Sequence, residues 1–216
     1  MKFYSIIPQS MPLPMLRGRE FDPAQEPFCK AVPHAKIDSY VWGQSYTPEA
    51  RAWMVWDRKG LSVLLAAREA RIRVEATAFN GEVYRDSCLE CFLKPISEDP
   101  RYLNIEVNAS GTALIGLGQD RQSRVRLPEM PRDMGICASE HRGNWWAVAY
   151  RISFALIQDL FGAVPRPGDA MRGNFYKCDE SIHPHFGSWN PIQAPAPDFH
   201  RPECFGTLVL SKSAES

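Results

Sequence analysis

The sequence predicts an all-β protein, an antiparallel β-sandwich carrying one short helix. Three observations predict it. Many short runs alternate apolar and polar residues, the period of a strand with one buried face. Turn-forming Gly, Asn, Asp and Pro punctuate these runs at short intervals. A single stretch, Ser153 to Phe161, reads as helix, with Ser153 as N-cap and Gly162 as the stop.

The elements follow in chain order. Residues 1–34 contain several prolines and little periodicity, and read as an irregular arm lying against a domain of residues 35–216. Arg51 to Trp56 is a strand, Asp57-Arg-Lys-Gly60 a turn, and Leu61 to Ala67 the returning strand. Ile72 and Val74 alternate with Arg71, Arg73 and Glu75 as a further strand. Asp86 to Leu93 and Tyr102 to Asn108 come next. In the second of these, Tyr102, Asn104, Glu106 and Asn108 share one face, and Leu103, Ile105 and Val107 the other. Ala109-Ser-Gly111 turns into Thr112 to Leu117. Gly135 to Ala138 and Trp145 to Tyr150 flank Arg142-Gly-Asn144 as another hairpin; Trp145 and Trp146 are adjacent, so at most one faces the core. Gly173 to Lys177 is a late strand, residues 183–202 a Pro-rich loop, and Phe205 to Leu210 the closing strand.

The chain has 216 residues, 44% hydrophobic and 23% charged, enough for a full core. Lys+Arg and Asp+Glu both number 25, a balance that points to neither nucleic acid nor an acidic membrane as partner. No apolar run approaches a membrane span. The start, Met1 to Pro8, lacks the continuous apolar region and cleavage site of a signal peptide, so a cytoplasmic location is expected. Cys88 and Cys91 form a C-x-x-C, but inside a strand their thiols point to opposite faces, with Cα atoms roughly 10 Å apart. That excludes a disulfide between them. With no second C-x-x-C to complete a zinc site, reduced cysteines are expected.

The ordered set of these pieces resembles carbohydrate-binding module family 9 and its stand-alone relatives, over most of the chain after about residue 35. The pieces are the Trp53 to Trp56 hairpin; Tyr84 six residues before Glu90; and Asn104-x-Glu106-x-Asn108 followed by Gly111. An amphipathic hairpin, the short helix, Ser188-Trp189, and Phe199-His-Arg-Pro202-Glu-Cys-Phe205-Gly206 complete it. The resemblance implies a sandwich of jelly-roll type that grips a sugar end between two aromatic rings, with strand side chains holding the hydroxyls. On that basis Tyr84 and Phe199 match the rings, and Glu90, Asn104 and Glu106 the hydrogen-bonding positions, with Asn108 and Trp189 as further ligand-binding candidates. Well-known members carry Trp at both ring positions, and Arg and Asn where this chain has Asn104 and Glu106, which makes this site more acidic. The resemblance also allows a structural calcium, though no contiguous Asp-rich loop is present.

The residues themselves leave alternatives open. Flat rings with a few fixed polar groups suit a pyranose, whose C–H faces stack and whose hydroxyls bond carboxylates and amides. Equally, the rings could pack in the core and the carboxylates pair with Arg71, Arg73 or Arg101. Glu90 and Glu106 also meet the minimum for a glycan-active enzyme, an acid and a base. A polar strand face could instead dock a protein partner. Trp189 either lines the site or buttresses its loop. Asn174, Tyr176 and Lys177 could add polar contacts. His183, His185 and His200 read as loop residues rather than metal ligands. The leading expectation is non-catalytic binding of a mono- or oligosaccharide.

Overall fold

The computed structural model describes residues 1–43, 45–140, 144–181 and 183–212. Its strands are β1 (Phe3–Pro8), β2 (Ala35–Ile37), β3 (Glu49–Asp57), β4 (Gly60–Arg68), β5 (Cys88–Lys94), β6 (Tyr102–Asn108) and β7 (Ala113–Gly118). They continue as β8 (Val125–Arg126), β9 (Cys137–Ala138), β10 (Trp145–Ser153), β11 (Ala170–Asp179), β12 (His185–Ser188) and β13 (Gly206–Leu210). Two helices, α1 (Pro27–Ala31) and α2 (Phe154–Phe161), are the described α-elements. Neither is long and apolar enough to cross a membrane.

Two sheets pack face to face as a β-sandwich. The front sheet runs β8-β7-β6-β5-β11-β13, with β12 continuing beside β11; the back sheet runs β3-β4-β10-β9, with β2 beside β3. β1 belongs to both. Phe3 to Ile6 pair with Thr207 to Leu210, then Ile7 and Pro8 pair with Val55 and Trp56. Both pairings are parallel, so the sandwich is antiparallel except along this one strand.

The alternation read from the sequence decides what lies between the sheets. Leu89, Cys91, Leu93, Leu103, Ile105 and Val107 project inward from the front sheet and meet Met54, Val63, Leu65, Trp146, Val148 and Tyr150 from the back. Strand β4 is apolar on both faces because both are covered. Leu64 and Ala66 point outward, beside Trp53 and Val55, under Leu16, Phe21, Phe28 and Val32 of the N-terminal segment. The β3–β4 turn closes where the Asp57 carboxylate accepts the backbone N–H groups of Lys59 (2.7 Å) and Gly60 (3.1 Å). Gly60 is required there: a Cβ would lie 2.4 Å from the Ile152 carbonyl oxygen. Ser153 caps α2 by accepting the Leu156 N–H at 3.0 Å, and Gly162 ends it at φ 73°.

A buried ion pair joins the two layers. Lys177 of β11 points between the sheets and places Nζ 3.1 Å from Glu69, just past β4; both side chains are essentially inaccessible. The Trp146 indole N–H donates to the other Glu69 oxygen at 2.7 Å, and His185 Nε2 lies 3.4 Å away. Burial alone would raise the Glu69 carboxyl, but Lys177, His185 and Trp146 outweigh it and hold the group below its ordinary value.

Several expectations are corrected. Residues 3–8 of the supposed irregular arm form β1, and Pro27–Ala31 form a second short helix. Residues 71–75 form no strand. Their backbone N–H groups are taken by side chains instead: Ser87 Oγ accepts from Arg73 (3.1 Å), and the Asp86 carboxylate from Glu75 (3.1 Å) and Ala76 (3.0 Å). Ile72 and Val74 still pack on the core. The loop at 183–202 contains β12, which pairs with β11. Trp146 is the core member of its pair, Trp145 lying half-buried on the outer face. In the turn expected at Arg142-Gly-Asn144, Arg142 and Gly143 lie outside the described residues, although β9 and β10 do pair.

Breaking the Lys177–Glu69 pair leaves an uncompensated buried charge. Lys177→Met is expected to cost about 3–5 kcal/mol in urea unfolding. Arg85→Ala, which removes an exposed pair with Glu82, is expected to cost under about 1 kcal/mol. Equal losses for the two variants would contradict this account.

Candidate ligand-binding cleft

The outward face of the front sheet is covered by a return of the chain from Phe186 to Phe205, except at one opening. There, Glu90 of β5, Glu106 of β6 and Cys178 of β11 form the floor of a cleft of about 280 Å³. Strand period explains their company: Glu90 sits directly opposite Glu106 on one side and Tyr176 on the other. Tyr84 stands at one end, on the 3-10 turn Val83–Arg85 that leads into β5 and is anchored by the fully buried Val83. Phe199 and His200 of the covering segment line it together with Arg121, Arg124 and Arg126.

Glu106 accepts from Asn104 Nδ2 at 2.8 Å and from Arg124 at 3.0 Å, both through Oε1. Its Oε2 is buried and has no protein partner. Glu90 accepts from the Cys178 thiol at 3.0 Å. Burial drives the Glu90 carboxyl well above its ordinary value, Cys178 and Glu106 add to that, and Arg124 opposes it. Burial raises Glu106 as well, countered by Arg124. Both floor carboxyls are thus biased toward the neutral form, Glu90 the more strongly, because Arg124 pairs directly with Glu106.

Arg124 also lies 3.1 Å from His200 Nε2, and His200 Nδ1 lies 2.7 Å from the Tyr102 hydroxyl. A guanidinium only donates, so Nε2 accepts and the ring proton sits on Nδ1, directed at Tyr102. Burial first, then Arg124 and Arg121, push His200 down to about 3. Two glycines make room for Arg124. A Cβ on Gly116 would fall 2.5 Å from Asn104 Oδ1 and 2.7 Å from Arg124 Cδ, and one on Gly118 2.5 Å from Arg124 Cα.

Of the residues singled out in the sequence, Tyr84, Glu90, Glu106 and Phe199 meet at this cleft. Tyr84 is half-buried and its hydroxyl donates to Glu82 at 2.9 Å. Phe199 lines the cleft but is only 7% exposed. Its ring stacks on Tyr176 at 4.1 Å and 9°, so it serves as a packed wall rather than a free-standing plate. Asn104 lies beneath, reaching the cleft only through Glu106.

Asn108 and Trp189 are elsewhere. The Asn108 amide bonds Asp86 and the Ala76 carbonyl, and its oxygen accepts from Ser110 and Thr112, shaping the turn after β6. Trp189 is buried among Tyr4 and Phe175 and buttresses its loop. Asn174 ties down Asn190, and Lys177 faces the sandwich interior. Arg73 and Arg101 pair with Asp86 and Asp99, not with the floor carboxylates. Arg124 was not foreseen as the partner of Glu106, nor His200 as the partner of Arg124. The signal for Arg124 was the Gly116-Leu-Gly118 pair, two missing side chains on one face of a strand beside the polar row.

The model of carbohydrate-binding family 9 matches residues 28–210 of the chain. No curated protein matches it. Among solved structures, a Bacteroides uniformis protein named for carbohydrate binding superposes with a TM-score of 0.77 at 25% identity, covering 97% of this chain and 99% of its own. A family 9 carbohydrate-binding module from Caldicellulosiruptor kristjanssonii, in complex with glucose, gives 0.63 at 17% identity, over 100% and 99% of the two chains. A family 9 module from the same organism, in complex with cellotriose, gives 0.62 at 16%, over 99% and 96%.

The depressed His200 has a measurable consequence. Below pH 6.5 the unfolded chain takes up a proton at His200, and the folded chain refuses it until about pH 3. Stability present above pH 6.5 is therefore lost as pH falls through that window. Calorimetric melting is expected to show a shallower acid-side decline in His200→Gln than in the parent chain. An unchanged slope would remove His200 from the account.

Proposed function

The chain belongs to carbohydrate-binding family 9, and on that premise we propose that its cleft holds a mono- or short oligosaccharide without cleaving it. The observation that carries the reading is the Glu106 carboxylate. One oxygen is fixed by Asn104 and Arg124, while the other is buried at the cleft floor without a partner. A buried acceptor left open is costly, and a sugar hydroxyl is a donor of the right size to fill it. Arg124 can donate to a neighbouring hydroxyl oxygen, and a protonated Glu90 can both donate and accept. Tyr84 and the exposed edge of Phe199 supply apolar surface for a C–H face. A volume of about 280 Å³ is at the lower end of ligand pockets, which start near ~300 Å³. It suits one sugar ring, with any further units extending into solvent.

The same two carboxyls prompt the enzymatic reading, since a protonated acid beside an ionised carboxylate is the pairing glycosidases use. Such a pair must flank the scissile bond. Glu90 and Glu106 are cross-strand neighbours on one sheet face, so both lie on the same side of anything resting on the floor. That arrangement favours holding a ring over cutting a link.

Calorimetric titration with glucose and with cellotriose tests the reading. Saturable binding is expected, weakened about tenfold or more by Glu106→Gln or Arg124→Ala, as for one charged hydrogen bond of ~1.5–3 kcal/mol. Tyr84→Ala is expected to weaken it several-fold, in line with ~0.5–1.5 kcal/mol for a ring contact. No heat with either sugar and no hit on a glycan array would refute sugar binding. Steady release of nitrophenol from a nitrophenyl glucoside or cellobioside, abolished by Glu90→Gln, would replace it with the enzymatic reading.

A further inference from the structure

The C-x-x-C of the sequence is not a metal motif, because Cys91 points into the sandwich core while Cys88 points outward. The structure gives Cys88 a different partner, 90 residues downstream. Cys88 and Cys178 are directly opposed on β5 and β11, and Glu90 follows two residues after Cys88 on the same face. The two sulphurs and a Glu90 carboxylate oxygen all lie within 4.8 Å of one another. All three residues are buried, and both cysteines are free.

We propose that Cys88, Glu90 and Cys178 bind a thiophilic divalent cation of the Zn²⁺ class. Two donors sharing an ion at a bond length of about 2.3 Å sit at most about 4.6 Å apart, so small side-chain rotations close the set. Two thiolates and a carboxylate suit zinc; calcium and magnesium require oxygen ligands. The ligands stand on two paired strands, which fixes their spacing better than a loop would. Three protein ligands leave a fourth position. Glu90 and Cys178 line the cleft, so that position opens to water or to an oxygen of a cleft ligand. A second observation agrees. One strand over, opposite Glu90, the buried Glu106 Oε2 has no partner, which makes the floor richer in electron-pair donors than its single arginine pairing satisfies. On binding, the two thiols release their protons to solvent, as does the Glu90 carboxyl, which burial otherwise biases toward its neutral form.

The proposal does not rest on sugar binding, and its test uses no sugar. The reduced, metal-free chain is titrated anaerobically with Co²⁺ alone. A near-ultraviolet sulphur-to-cobalt absorption is expected to saturate at one equivalent and to disappear when Zn²⁺ is added. Cys88→Ser and Cys178→Ser should each abolish the band and weaken Zn²⁺ binding more than tenfold, while Cys137→Ser, a thiol on β9 of the other sheet, keeps both. Absence of the band in the parent chain, or its survival in both β5 and β11 variants, overturns the site. If either variant fails to fold by circular dichroism, X-ray absorption at the zinc edge of the loaded parent chain decides. Two sulphur neighbours at about 2.3 Å support the site, and a shell of oxygen and nitrogen alone overturns it.

Discussion

The register of β5 against β6 and β11 places Glu90 opposite Glu106 on one side and Tyr176 on the other. A slip of one residue on β5 or β6 would drive a floor carboxylate into the sandwich and leucines into the cleft, and one on β11 would turn Phe175 and Lys177 outward. Both errors are costly, because both faces of this sheet are buried. The inward face meets the back sheet, and the outward face meets the returning segment that carries Phe199 and Phe205. The apolar residues of these strands thereby hold the polar ones in place. Lys177 reinforces the arrangement from within, since its ammonium reaches Glu69 only while β11 keeps this phase.

Charge at the cleft is arranged by the same economy of partners. Four carboxyl, imidazole and phenol groups are buried around one guanidinium, and only Glu106 holds a direct ion pair with it. The others are pushed toward their neutral forms: Glu90 by burial, Cys178 and Glu106, His200 by burial and nearby arginines, Tyr102 by burial. A floor of neutral donors and acceptors around one charge pair can exchange hydrogen bonds with a neutral ligand without desolvating further charges.

Alternation made the strands legible in the sequence; β6 runs from Tyr102 to Asn108 as its pattern implies. Parity also selected Glu106, because a period of two tells which residues share a face, while Glu90 came from the family resemblance. It could not tell that Asn108, of the same parity, sits where the strand ends and is consumed by its own turn. Alternation at Ile72 and Val74 was real but marked a segment whose backbone bonds go to Asp86 and Ser87, side chains a pattern search does not count as strand partners. Arg124 reaches Glu106 from the loop before β8, signalled only by the two glycines that make room for it, and His200 reaches Arg124 from 76 residues further on, a meeting no local spacing encodes. The short β1 was hidden by Pro8 at its end and by the lack of a hairpin partner nearby.

Strand β1 carries one further implication, for how the molecule is made. Its first half pairs with Thr207 to Leu210, so residues at the start of the chain wait for residues some two hundred positions later. The entropy of closing so long a loop comes before any of its reward. During synthesis, β3 and β4 can zip as a local hairpin early, but β1 must idle until β13 leaves the ribosome. The covering segment with Phe199 and His200 lies just upstream of β13, so the cleft gains its walls only after its floor strands β5, β6 and β11 have been made.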